Sequence, residues 1–234
     1  MALTLIARNA EELRRISADA SLRGASRVNI VAGDLTDTSF IKQTVSAVSA
    51  PNTALVAYGS LTDSARADGD AAYLVAELNV NFTSAVLWAQ SLAERMATND
   101  IDGTKDTKGT KGTKSKDGST LAVISSVAGD RGRGSNHAYG AAKAGLTAFC
   151  SGLRSRMRER GVHVVTVKPG FIDSPMTAHI AKKGALWATP ESIAIGIVSA
   201  IDKRRDVVYL PGFWRGIMLI VCHVPEGVFK RLKF

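Results

Sequence analysis

Cysteine is scarce in this chain: Cys150 and Cys222 are the only two, far apart and outside any C-x-x-C pair. That argues against a disulfide framework. The four histidines form no H-E-x-x-H run, so no metal site is expected. Aromatic residues make up 6% of the chain, and none interleave with basic residues as a base-stacking platform needs. The formal charge of +9 therefore does not read as a nucleic-acid surface, and its sources are scattered. Five lysines lie between Lys105 and Lys116, offset in part by Asp102, Asp106 and Asp117; Arg154, Arg156, Arg158 and Arg160 follow on one helix. Long hydrophobic runs are missing too. The longest uncharged stretch near the C-terminus covers 216–222, well short of the roughly 20 residues a membrane span requires. No basic segment followed by an apolar stretch opens the chain, so a secretory signal is not expected and a cytoplasmic setting is.

What is present suits one α/β domain over 1–210: 234 residues with 45% hydrophobic content can bury a sizeable core. Strand patterns at 3–7, 28–32, 54–57, 119–125, 162–167 and 207–210 alternate with helical patterns at 39–50, 71–96, 139–160 and 190–202. Alternation of this kind predicts a parallel sheet wrapped in helices. In the helix at 139–160, Leu146, Phe149, Leu153 and Met157 fall on one stripe, with Gly161 as its stop. The segment 99–118, NDIDGTKDTKGTKGTKSKDG, repeats Thr-Lys-Gly and has no aliphatic residue after Ile101. It reads as a disordered surface insertion.

The chemistry concentrates in VISSVAGDRGRGSNHAYGAAKAG. Tyr139 and Lys143 stand at i and i+4 of a helix, so they project from one face about a turn apart. A protonated Lys143 there would favour phenolate on Tyr139, whose pKa starts near 10, and make it a general acid or base. Ser126 ends a β-type run, and the intervening loop can fold it back to hydrogen-bond a carbonyl oxygen. Hydrolysis is disfavoured, because Ser126 has no G-x-S-x-G elbow and His137 merely lies in the loop.

Tyr139 stands 13 positions after Ser126 and four before Lys143; with the preceding strand and the later VKPGFIDSPM, this resembles the short-chain dehydrogenase/reductase family over about 3–210. The resemblance implies a Rossmann-like, doubly wound parallel sheet and a Ser126, Tyr139, Lys143 catalytic set. Asn81, in NVNFTSAV, resembles the family's helix Asn that orders a water beside the lysine, with Asn79 as its rival. One feature of the family is missing: the first strand and its glycine-rich turn, whose amides hold the cofactor pyrophosphate. The chain opens instead at what resembles the family's second strand. In a sheet ordered 3-2-1-4-5-6-7 the absent strand is the central one. The expectation is that translation truly starts about 25 to 30 residues upstream, or else that the chain is a degenerate copy.

Arg8 at the end of the first strand, preceded by Ala7 rather than an acidic residue, points to NADP(H) over NAD(H). A solvated residue at a helix start is the alternative. Asp34 resembles the family's contact to the adenine amino group, with Leu35 beside the ring; a turn or capping Asp is the alternative. Gly59 is retained in VAYGSL, where Tyr58 departs from the family's NNAG. Pro169 and Gly170 resemble the segment beside the nicotinamide, with Ile172 and Ser174 at its carboxamide. The implied reaction is hydride transfer between NADPH and a small-molecule carbonyl or secondary alcohol; the competing expectation is a catalytically silent binding or scaffold protein.

The tail, 211–234, is apolar and basic: Phe213, Trp214 and Ile217 with Lys230, Arg231 and Lys233 suit a segment lying on an anionic membrane surface at the inner face. A packed terminal helix or a homo-oligomer contact is the alternative. Tail, SSVAGDRGRGSN and KPGFIDSPMTA together are similar to the decaprenylphosphoryl-2-keto-erythro-pentose reductases, which implies a prenyl-phosphate sugar ketone as substrate.

Overall fold

The computed structural model describes residues 1–97, 118–178, 180 and 184–232. Asn9 ends the first strand, β1 (Ala2–Ala7), and begins α1 (Ala10–Leu22), its side-chain oxygen accepting the N–H groups of Glu11 at 3.0 Å and Glu12 at 3.1 Å. Two donors that a helix start leaves orphaned are thereby met. Asp37 does the same for α2 (Thr38–Ala47), after β2 (Arg27–Ala32). β1 and β2 pair in parallel, Ala2 opposite Arg27 through Ala7 opposite Ala32.

The chain then builds a second, four-stranded parallel sheet. It contains β3 (Thr53–Val56), β4 (Thr120–Ile124), β5 (His163–Pro169) and β8 (Val207–Leu210), in the order β3-β4-β5-β8. A short parallel pair, β6 (Phe171–Ile172) with β7 (Trp187–Ala188), stands apart. Among the described residues no strand joins β1 to β3, so β1 with β2 and the four-stranded sheet are separate. The β-branched run of β5 is buried on both faces, as a parallel strand demands: Val164, Val165 and Val167 have no exposed surface.

Helices cover both faces of the larger sheet. Between β3 and β4 run α3 (Ser64–Gly69), α4 (Ala71–Leu78) and α5 (Ser84–Ala97); α6 (His137–Met157) follows β4 and α7 (Pro190–Asp202) follows β7. α5 and α6 bury Trp88, Ala89, Ala93, Met96, Leu146, Leu153 and Met157 against Leu121, Val123 and Val164. On the opposite face α7 packs Ile193, Ile197 and Ala200 against Ala122, Val165 and Val167. α6 ends as the sequence predicts, through one 3₁₀ turn into Gly161 at φ +74°.

One helix departs from the expected form. The continuous helix at 71–96 is interrupted by a π-helical turn, Asn79–Thr83, which sets α5 in a different rotational phase from α4. The segment expected to be a disordered insertion, 99–118, lies outside the described residues apart from Gly118, and so does Lys233. The C-terminal segment forms α8 (Trp214–His223) and α9 (Glu226–Phe229). Trp214 and Met218 bury against Val127, so one side of this segment is packed in the manner of a terminal helix.

Candidate active site

Ser126 follows the C-terminal end of β4, and the turn after it, a 3₁₀ turn at Val127–Gly129, lies directly on α6. Glycine makes that approach possible. A Cβ on Gly129 would meet the backbone N of Ala144 and carbonyl C of Lys143 at 2.6 Å, and one on Gly140 would meet the Ala128 carbonyl oxygen at 3.0 Å. The neighbouring Ser125 pins the junction, donating to the Lys143 carbonyl at 2.9 Å and sharing a 2.7 Å hydrogen bond with Thr147. Ser126 Oγ accepts the Ala128 N–H at 3.1 Å and lies near enough to Tyr139 to act on the phenol's pKa. The serine and the phenol expected to meet are therefore brought together.

Tyr139 and Lys143 share the face of α6 that looks onto this turn, with Lys143 Nζ 5.7 Å from the phenol ring centroid. Burial pushes the Tyr139 phenol up from its usual range. The lysine is not what governs the phenol here: desolvation disfavours the phenolate, and the Ser126 side chain is the group that opposes it. Burial also lowers the Lys143 amine to about 8, with a weaker opposing contribution from Cys150. The ammonium donates to the Ile124 carbonyl at 3.4 Å.

Asn81 and Gly59 complete the cluster. A Cβ on Gly59 would lie 2.8 Å from Asn81 Oδ1 and 3.5 Å from Lys143 Nζ, so all three converge on one point. The π turn is what aims Asn81 there: the residue is wholly buried, accepts the Ser60 N–H at 3.1 Å, and donates to Ser60 Oγ at 3.1 Å and to the Glu77 carbonyl at 3.2 Å. Asn79, the rival, is the first residue of that turn. Glu77 was not anticipated from sequence, although it stands four residues before Asn81. Its carboxylate collects the hydroxyls of Ser60 at 2.8 Å and Thr62 at 2.9 Å. Tyr58 turns away into the core, where its hydroxyl donates to Ser84 Oγ at 2.8 Å and burial pushes it up to about 12.

The remaining expected residues fall at the C-terminal ends of the strands. Arg8 and Asp34 are exposed at the ends of β1 and β2, close enough for Arg8 to help lower the Asp34 carboxyl. The larger cause is local: Asp34 Oδ1 accepts the Thr36 N–H at 2.9 Å and hydroxyl at 2.8 Å, which is the turn geometry named as its alternative. Leu35 is buried in the main core and its carbonyl accepts the Trp88 indole N–H at 3.0 Å. Pro169 ends β5; Gly170 donates to the Leu210 carbonyl at 3.0 Å, and a Cβ there would overlap the Trp214 indole. Ile172 lies in β6, and the Ser174 N–H donates to Thr177 Oγ1 at 3.2 Å. Arg154 reaches Val164 and Thr166 of β5, while Arg156 and Arg160 pair with Glu94 at the surface.

Comparison with known proteins identifies the family. The family described as short chain dehydrogenase matches residues 1–185. An uncharacterized oxidoreductase of Mycobacterium tuberculosis is 32% identical over 98% of this chain and 87% of its own length. Another, from Streptomyces coelicolor, is 37% identical over 48% of this chain and 44% of its own. Among solved structures, a short-chain dehydrogenase from Sphingobium yanoikuyae in complex with NADPH superimposes with a TM-score of 0.75 at 16% identity, covering 96% of this chain and 87% of that one. A short chain dehydrogenase from Burkholderia cenocepacia in complex with NADP gives 0.70 at 16%, covering 95% and 98%. This chain belongs to the short-chain dehydrogenase family of oxidoreductases.

Proposed function

We propose that the chain interconverts a carbonyl and a secondary alcohol using NADP(H), with NAD(H) the weaker cofactor. The observation that carries this reading is the meeting of Ser126, Tyr139, Lys143 and Asn81 around the end of β4. The cofactor would supply or accept the hydride. Tyr139 gives its phenolic proton to the carbonyl oxygen in reduction and withdraws it in oxidation. Ser126 donates a hydrogen bond to that same oxygen. Lys143, an ammonium below pH about 8, makes the phenol a better acid. Asn81 with Glu77 and Ser60 provides a polar route by which the lysine exchanges its proton.

The residues present suit the cofactor at both ends. Gly59 keeps the space between Asn81 and Lys143 free of a side chain, and exposed Arg8 beside Asp34 suits the 2′-phosphate and ribose. The second reading is a silent member of the family, a binding or scaffold protein that keeps the fold without affinity for the cofactor. Titrating NADPH into the protein while following nicotinamide fluorescence separates them. Saturable enhancement that Arg8→Ala weakens for NADPH more than for NADH supports the reductase; no enhancement leaves the binding protein.

The finer parts of the proposal concern the partner and the setting. Phe213, Leu219 and Ile220 are 45%, 63% and 70% exposed, with Arg215, Lys230 and Arg231 nearby in sequence. Such a face suits peripheral contact with an anionic membrane from the cytoplasmic side and a prenyl-phosphate sugar ketone as substrate. Among the described residues no helix is long and apolar enough to cross a membrane. Co-sedimentation with phosphatidylglycerol vesicles, abolished by Leu219→Asp with Ile220→Asp, is the expected result. Homo-oligomerisation through the helices carrying Asn81 and Tyr139 belongs to the same proposal and is read by sedimentation.

A further inference from the structure

The turn after Ser126 is held from outside the active site by a buried polar cluster. The Asp130 side chain is only 8% exposed and the Lys168 side chain 10%. Lys168 donates to Asp130 Oδ1 at 2.5 Å, and the Tyr209 hydroxyl donates to Oδ2 at 2.8 Å. Lys168 and Tyr209 face each other in the β5–β8 register, so one carboxylate spans both strands. Lys168 also immediately precedes Pro169 and Gly170.

Arg131 continues the connection into the C-terminal helices. Its guanidinium donates to the Cys222 carbonyl at 3.0 Å and to Glu226 at 2.6 Å, and it lies 4.2 Å over the Phe229 ring. Val127 packs against Trp214 and Met218, while the Trp214 indole fills the space left by the missing Cβ of Gly170. Three of the first five residues after Ser126 are therefore gripped by the segment 207–229. The turn itself is short: Gly129 N–H donates to the Ser126 carbonyl at 3.2 Å and Asp130 N–H to the Val127 carbonyl at 3.1 Å. Displacing Asp130 must displace Ser126.

We propose that 207–229 is a clasp that fixes the position of Ser126, with Asp130 as its central positioning residue. The inference rests on the reading of Ser126 as the group that orients the carbonyl oxygen. It assigns the C-terminal segment a part in turnover separate from any contact with a membrane or a second copy. A carboxylate suits the place because the Lys168 ammonium would otherwise be buried without a counter-charge, and the pair together is electrically neutral. The clasp acts on orientation alone, so it should alter turnover more than cofactor binding.

Amide hydrogen exchange on Tyr209→Phe and Arg131→Met tests this. Both variants remove grip and leave apolar bulk in place. Exchange of the 127–131 amides should quicken at least fivefold while β4 and β5 keep their rates. With NADPH and an aromatic 1,2-diketone, kcat should fall several-fold and the NADPH Kd should stay within twofold. Unchanged exchange at 127–131, or equal acceleration throughout the protein, would overturn the clasp. Absence of turnover in the unsubstituted protein would instead defeat the reductase reading, leaving the exchange result to judge the clasp.

Discussion

Lys143 is where the fold and the chemistry conflict most openly. It is 3% exposed, and its amine is lowered from 10.5 to about 8 by burial. At 1.36 kcal/mol per pH unit, that displacement is worth roughly 3 kcal/mol against the folded state. The folded pKa lies below the unfolded one, so the penalty is complete below pH about 8 and disappears as pH rises past 10.5. Lys143→Met should therefore be more stable than the parent by about 1–3 kcal/mol at pH 7, and the gap should close between pH 8 and 10.5. Urea unfolding at pH 7 and pH 10 measures it, and the same variant should lose turnover. Ser126, Tyr139 and Lys143 were legible in the sequence because they span 18 consecutive positions, 126–143, joined by one strand end, one turn and one helix face. Glu77 and the Asp130–Lys168–Tyr209 cluster were not. Their partners are brought together by the sheet, and an isolated Asp or Lys carries no local mark of burial.

Among the elements, strands β4, β5 and β8 and helices α6 and α7 were legible from apolar runs, a 3.6-residue stripe and Gly161, while the Thr189 cap of α7 is seen in the structure. The π turn was not, because an i→i+5 turn uses the same residue types as the helix around it. Its effect is to bury Asn81 beside Lys143 instead of letting it follow the phase of α4. The link between α6 and the sheet rests on Arg154, which donates to the Val164 carbonyl, Thr166 Oγ1 and the Asp206 carbonyl, each at 2.7 Å. Arg154→Met removes the guanidinium from the buried Val164 carbonyl and Thr166 Oγ1, while the Asp206 carbonyl keeps the Thr166 N–H, and should destabilise the protein by roughly 1–3 kcal/mol. The check is the urea midpoint, with no change in the NADPH Kd under native conditions.

At the scale of the whole molecule, the divided sheet is the governing feature. A two-stranded sheet is marginal on its own; β1 with β2 packs on α1, and Ile6 joins the main core beside residues of α2 and α5. Ile30 and Leu55 show what this leaves uncovered, at 39% and 48% exposure. The β1–β2 amides should exchange by local opening well before those of β4 and β5, about tenfold faster or more. Equal protection in both sheets would show that the two halves open as one unit. The parallel, helix-wrapped sheet was legible in the alternating apolar patterns. The closeness of the C-terminal segment to the Ser126 turn was not, since its apolar residues serve a packed face and an exposed face in one short helix.

The rate of NADPH-driven carbonyl reduction by Tyr139→Phe, beside that of the parent protein at pH 7, tests the central claim most directly. Loss of a positioned proton donor should slow turnover by about 10²–10⁴-fold while circular dichroism and the NADPH Kd stay as they were. A variant that keeps half or more of the parent rate would contradict proton transfer by Tyr139, and with it the mechanism.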